Sequence, residues 1–343
     1  MLRLPEAAGP SDPARSTPAR QPGSVRRTSS IDTSRPDGLR SDLVVAARAR
    51  YLRTGPDGSA VVESEAVLWA QIDGATHKLI AIETTPEVPA LGALLGVLVG
   101  PGFRRQLDEA VSEERDAGTL LYLLLDDLPG AVLVSGYAMQ RAGAFDEIPP
   151  ERVKDMSTEF LSRDDLCAGW AHDATMMVSV RATGDIPVPI GPPAPVLEPD
   201  DDPWSWHAMA PMTAHGMRRR RRLDVLPPLV PGGEHRLDVH FRDSHVDEDG
   251  AESVVHEYSV TGMVDGAAGQ VVDVTAQAHV LPWMECPGAV GSAHRLAGMP
   301  LTELRPWVRR ELTGVSTCTH LNDTLRSLAD VTVLLRSTVR PPA

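Results

Sequence analysis

Apolar and polar residues alternate through "AVLWAQIDGATHKLIAI" (66–82) on either side of Asp73-Gly74, and they do so again through "YSVTGMVDGAAGQVVDV" (258–274) around Asp265-Gly266. A period of two predicts strands, and Asp-Gly between them predicts the tight turn of a hairpin. Beyond each hairpin the period lengthens to that of an amphipathic helix, in "RRQLDEAVSEER" (104–115) and in "LTELRPWVRREL" (301–312), where Pro306 implies a later start or a kink. A further helical run follows each of these, "TLLYLLLDDLPGAVLVS" (119–135) and "TCTHLNDTLRSLADVTVLL" (317–335).

These pairs recur in the same order at a nearly constant offset. At 192 positions, "RRTSSID" (26–32) lies on "RRRRRLD" (218–224), Asp57-Gly58 on Asp249-Gly250 and Glu65 on Glu257. After the hairpins the offset grows by about half a dozen residues, which sets Gly100 on Gly298. Paired turns, equal spacing and a shared order predict an internal duplication. The expected fold is α+β, with two units at 26–142 and 217–343, each an antiparallel sheet of about three strands packed with two or three helices. The two units are expected to pack as an intramolecular pseudo-dimer. Residues 143–216 read as a connector, partly helical over 149–171 and rich in Pro and acid over 184–206, while 1–25 reads as a disordered leader.

Composition narrows the function classes. A net charge of −14 opposes a broad embrace of nucleic acid, and no apolar run reaches the length of a membrane span, since "TLLYLLL" stops at Asp126 and Asp127. The expectation is a cytoplasmic protein with no membrane or nucleic-acid partner. The run Arg218–Arg222 reads as a solvated arm or edge strand whose charges guard against aggregation. Three cysteines, Cys167, Cys286 and Cys318, are too few for a disulfide framework. The five-residue spacing of His235, His240 and His245 fits neither strand nor helix, so they read as unrelated surface residues.

Comparison of the two units isolates the candidate chemistry. The first has Leu120 or Leu121 where the second has Cys318, Tyr122 or Leu123 where the second has His320, and Ser64 where the second has His256. Near "EVPALGALLG" (87–96) it has no cysteine, whereas the second carries Cys286. Cys286 precedes Pro287, and Cys318 follows Ser316 and Thr317, so both fall at helix starts, where unpaired amides favour thiolate. Two thiolates in one small domain call for a cation between them, zinc, iron or an iron–sulfur cluster, with His256 or His320 completing the set. Asp323 and Glu257 are candidate supports for these ligands. Cys167, without ligand-like neighbours in sequence, reads as core.

The order "RRTSSID", "HFRDS", "HEY", "LPWMECPGA" and "TCTHLND" resembles the bacterial domain-of-unknown-function family numbered 2889, over nearly the whole chain from Arg26, and implies no particular activity. The second unit also resembles iron–sulfur scaffold proteins of the NifU and SufU type, whose three cysteines and an aspartate hold zinc or assemble a cluster. Cys286 and Cys318 match the second and third of those cysteines, and the first has no match. The leading expectation is a metal- or iron–sulfur-binding protein that stores, delivers or senses its cargo for a partner or acceptor. The alternatives are a cysteine-dependent acyl- or sulfur-transfer enzyme with Cys318 as nucleophile and His320 or His256 as base, and an interaction module without chemistry.

Overall fold

The computed structural model describes residues 9–144, 161–184 and 187–338. Its centre is one antiparallel sheet of eight strands in the order β4-β3-β2-β1-β5-β6-β7-β8. The first half of the chain supplies β1 (Val25–Ser34), β2 (Leu43–Thr54), β3 (Ala60–Ile72) and β4 (Leu79–Thr85). The second half supplies β5 (Met217–Leu226), β6 (His235–Val246), β7 (Glu252–Asp265) and β8 (Gln270–Val280). Each half therefore contributes four strands, not about three, and the two sets fuse along β1 and β5, where Ser29 stands opposite Arg221. These two residues are themselves 192 apart. The same offset separates the register shifts at Tyr51/Leu52 and Asp243/Ser244, and those at Gln71/Ile72 and Met263/Val264. After the hairpins, Leu79 exchanges hydrogen bonds with Gly96 and Val97, and Val271 with Gly298 and Met299. Gly96, not Gly100, is thus the counterpart of Gly298, and both need the left-handed backbone open to glycine, at φ 78° and 79°.

Helices cover one face. From the first half these are α1 (Phe103–Ala110), α2 (Ser112–Ala117) and the long α3 (Leu120–Arg141), followed by α4 (Thr175–Thr183). From the second half they are α5 (Leu304–Glu311), α6 (Thr319–Arg326) and α7 (Val331–Thr338), preceded by consecutive 3-10 turns over Cys286–Leu296. α3 is apolar and long enough to cross a bilayer, yet 83% of its most apolar window is buried within the fold, and it carries the buried pair Asp126 and Asp127.

The opposite face is covered by segments that the sequence assigns to a leader and a linker. Residues 9–24 run along the sheet, with Leu281 N–H bonding the Pro10 carbonyl and Ala14 N–H bonding Glu257, so they are ordered; residues 1–8 lie outside the described residues. Residues 187–215 cross the same face. There His207 bonds Thr28 and Ser30, Trp206 donates to Thr17, and Glu198 pairs with Arg220. Of the helix expected over 149–171, residues 149–160 also lie outside the described residues.

The run Arg218–Arg222 is neither arm nor edge. It is β5, a central strand whose five arginines are all buried. Alternation sends Arg218, Arg220 and Arg222 to the segment-covered face, against Asp32, Glu198, and Asp224 with Asp238. Arg219 and Arg221 go to the helix face, where Arg219 bridges Asp243 on β6 and Asp323 on α6, and Arg221 meets Asp127 on α3. The lattice continues through Arg326 to Asp126, and through Arg305 to Asp126 and Asp330, the last of which also takes Arg27. The histidines of β6 are corrected as well. His240 is buried against Glu257 and His245 against the Tyr137 ring, on opposite faces because their spacing is odd.

Two consequences are measurable. Gly130, next to Pro129 in the middle of α3, sits where a Cβ would collide with the Arg219 guanidinium and come within 2.5 Å of Asp323. Alanine normally stabilises a helix interior by up to about 1 kcal/mol over glycine. Here overpacking reverses the sign, so Gly130→Ala should destabilise by roughly 1–3 kcal/mol in denaturant unfolding. Second, burial lowers the imidazoles of His207 and His320 to about 3 and those of His240 and His245 to about 4, from 6.5. Between 6.5 and these values the unfolded chain takes up protons that the folded chain refuses. Stability must then fall with falling pH, by roughly 1.4 kcal/mol per pH unit for each histidine. A second loss follows below 3.8, where Asp126, Asp243 and Asp323 remain charged only in the folded state. Denaturation midpoints that do not move between about pH 7 and about pH 4.5 would contradict the neutral burial of these rings.

Candidate functional site

Three helix-face positions meet where β6, β7 and the start of α6 converge. Asp243 and His256 are direct register partners across β6 and β7, beside the register shift at Asp243/Ser244. Cys318 is the N-cap of α6, which places His320 in its first turn, over the same strands. The His256 and His320 rings stack at 3.8 Å with 22° between their planes. His256 Nδ1 is 3.4 Å and His320 Nε2 3.7 Å from Oδ2 of Asp243. Asp243, His256 and His320 each offer a donor atom within 4.8 Å of the others. On its other ring nitrogen His320 faces Cys318, with Nδ1 3.8 Å from Sγ.

The electrostatics follow from burial. Asp243 is fully buried, which alone would raise its carboxyl, but the bidentate Arg219 guanidinium at 2.9 and 3.1 Å overcomes that and holds it well below the usual range. Burial, then the neighbouring His256, depresses His320 to about 3, so its ring is neutral and keeps a lone pair free. His256 Nδ1 is buried and has the Asp243 carboxylate before it at 3.4 Å. Arg219 and Arg221 both lie over the Phe241 ring, which closes the floor beneath His320.

The sequence-derived residues divide between two places. His256 and His320, each weighed as a partner for the two cysteines, stack on one another instead. Cys318 borders them, Cys286 packs against Gly169, and neither cysteine joins the cluster of three donors found among the described residues. The supporting residues are corrected. Glu257 points to the opposite face, where it accepts from His240, Arg242 and the Ala14 amide. Asp323 binds Arg104, Arg219 and Arg326 rather than His320, and reaches the site only through Arg219. The carboxylate facing the imidazoles is Asp243, which sequence reasoning passed over inside "HFRDS". Its signal was faint: a charged residue at a position whose alternation points inward.

The thiolate expectation is overturned as well. Amides of His320 and Leu321 and the Tyr258 hydroxyl approach the Cys318 sulfur, yet full burial dominates and pushes that thiol up. Burial likewise pushes up Cys286, and takes Cys167 to about 12. Position at a helix start lowers a thiol only where solvent or a cation shares the charge, and here the apolar surroundings win. Cys167 is buried as expected, but in the company of the other two cysteines.

No curated protein and no solved structure matches the chain. Residues 217–334, a range that includes Asp243, His256, Cys286, Cys318 and His320 but not Cys167, match the model of the family described as a protein of unknown function (DUF2889).

Proposed function

We propose that the protein binds a single zinc or iron ion through His256, His320 and Asp243. The observation that carries this reading is the convergence of their three donors within 4.8 Å, from two strands and a helix that the sheet and the arginine lattice hold in place. The donor chemistry fits. Imidazole and carboxylate are the ligands of borderline divalent ions, His256 Nδ1 faces the Asp243 carboxylate at 3.4 Å, and Arg219 orients that carboxylate from behind. Two histidines and one carboxylate leave a coordination position open to solvent, substrate or a partner's ligand. A role in storing, delivering or sensing the ion in the cytoplasm agrees with this open position. The nitrogen and oxygen donors favour a mononuclear ion over an iron–sulfur cluster, and the likeness to NifU- and SufU-type scaffolds rests on sequence alone.

The 192-residue offset shared by the β1/β5 pairing and both sets of register shifts supports descent of the two halves from one duplicated unit, packed as an intramolecular pseudo-dimer. In that reading the first half is the partner that lost, or never gained, the histidines.

Elemental analysis of purified protein should find zinc or iron in near-equimolar amount. His256→Gln and His320→Gln should each weaken binding by about 10-fold or more, while Cys286→Ala leaves it intact. Metal-free protein that takes up neither ion would sink the reading.

A second reading draws on one observation, the line Cys318–His320–Asp243, with 3.8 Å from Sγ to Nδ1 and 3.7 Å from Nε2 to the carboxylate. This is the order of a nucleophile, its base and an orienting acid. Iodoacetamide separates the two. Fast alkylation of Cys318 at neutral pH supports the nucleophile, and slow alkylation that quickens with chelator supports the ion.

A further inference from the structure

The five arginines of β5 all end on carboxylates, and Arg35 does not. It follows β1 directly, where the chain leaves the sheet, and lies beside the second half of α3. Its Nη2 is 3.5 Å from Ser135 Oγ, at the limit of a hydrogen bond, and that hydroxyl already donates to the Val132 carbonyl at 2.8 Å. Its Nε is buried and has no partner among the described residues. One edge of the guanidinium has thus lost water without gaining an acceptor.

That edge borders a cleft of about 150 Å³, whose wall includes Leu39, Ala138, Met139, Ala214 and His215. No acidic residue lines it, and Asp37, the nearest acid in sequence, is exposed. His215 is held in the left-handed backbone region, at φ 57°, which is uncommon for a residue with a side chain. Two hydrogen bonds fix the turn after it: the Gly216 amide donates to the Thr213 carbonyl and the Gly216 carbonyl accepts from Val246, each at 3.0 Å. A Cβ on Gly216 would stand 2.8 Å from the Thr213 carbonyl oxygen, so the turn closes only with glycine there. The strained turn sets the imidazole into the cleft wall. The carbonyl end of α3 disfavours an anion nearby, and Arg141 in its last turn offsets it.

We propose that this cleft binds a small organic carboxylate, with its two oxygens on the Nε and Nη2 edge of Arg35, a hydrogen bond from His215, and its apolar body against Leu39, Ala138 and Met139. A guanidinium edge matches the two oxygens of a carboxylate, and apolar walls with a single charged anchor suit a ligand of the same make-up. Inorganic phosphate spreads its charge over more oxygens and has no apolar body, so it fits less well. The site shares no residue with the histidine centre, and either reading can fail without the other.

The test is a titration of the full-length protein with butyrate, with its neutral counterpart butyramide and with inorganic phosphate, read for the two organic ligands by ligand-detected proton NMR and for phosphate by the phosphorus signal. Wild type should bind butyrate saturably, with a dissociation constant on the order of 1 mM. Butyramide should bind at least about 10-fold more weakly, and phosphate more weakly than butyrate. Arg35→Met, which keeps an apolar stem and removes the fork, should abolish saturation. Ala214→Trp, which fills the cleft from an exposed position and leaves the charge in place, should do the same. Because Arg35→Met removes a charge without a partner, it should also leave the Tm unchanged or raise it. Absence of saturable butyrate binding, butyramide within that factor of butyrate, phosphate as the tighter ligand, or binding indifferent to either variant would overturn the proposal. So would a fall in Tm of about 4 °C or more in Arg35→Met, which would make Arg35 a structural residue.

Discussion

Arg219 lies between two carboxylates, Asp243 on the adjacent strand and Asp323 on α6, and the geometry of the candidate centre passes through that bridge. All three groups are buried, and each charge alone would be strongly unfavourable there. Removing one partner from such a set typically costs about 3–5 kcal/mol, because the remaining charge is stranded. The lattice therefore acts less as added stability than as a constraint: the helix layer has one seating on the sheet in which the charges cancel. His320, in the first turn of α6, inherits its position over His256 from that seating.

Arginine suits this role better than lysine. Its planar fork satisfies two acceptors at fixed angles and stacks on rings, as Arg219 and Arg221 do over Phe241. All but two of the 33 basic residues in the chain are arginines. Gly130 shows how closely the lattice is fitted, since the helix gives up a side chain at its middle so that Arg219 and Asp323 can lie against its backbone.

Burial also sets the chemistry of the centre. It keeps the His320 imidazole neutral and the thiols protonated, while Arg219 keeps Asp243 ionised. The outcome is a donor set of nitrogen and oxygen, Asp243 and His256 on the strands and His320 at the start of α6, with the Cys318 sulfur at its edge.

Much of the fold was legible without coordinates. Period-two runs around Asp73-Gly74 and Asp265-Gly266 became hairpins, and the longer periods became helices on one face. These features are local, governed by turn chemistry and side-chain alternation within a few residues. The errors share a different cause. Five arginines in a row look solvated when each is weighed against water, and only partners up to 186 residues away in sequence, such as Asp32 for Arg218, make a central strand of them. Residues 9–24 and 187–215 lack apolar periodicity because they line a face of buried arginines, to which they offer carbonyls, carboxylates and the rings of Trp204 and Trp206. Cys167 carries no local mark of its surroundings, and Asp243 only the inward alternation of its position. The sequence by itself determined the two Asp-Gly hairpins and the helices that follow them. Which charges would be neutralised, and which donors would share a point in space, was decided by tertiary packing, because both depend on contacts between residues far apart in the chain.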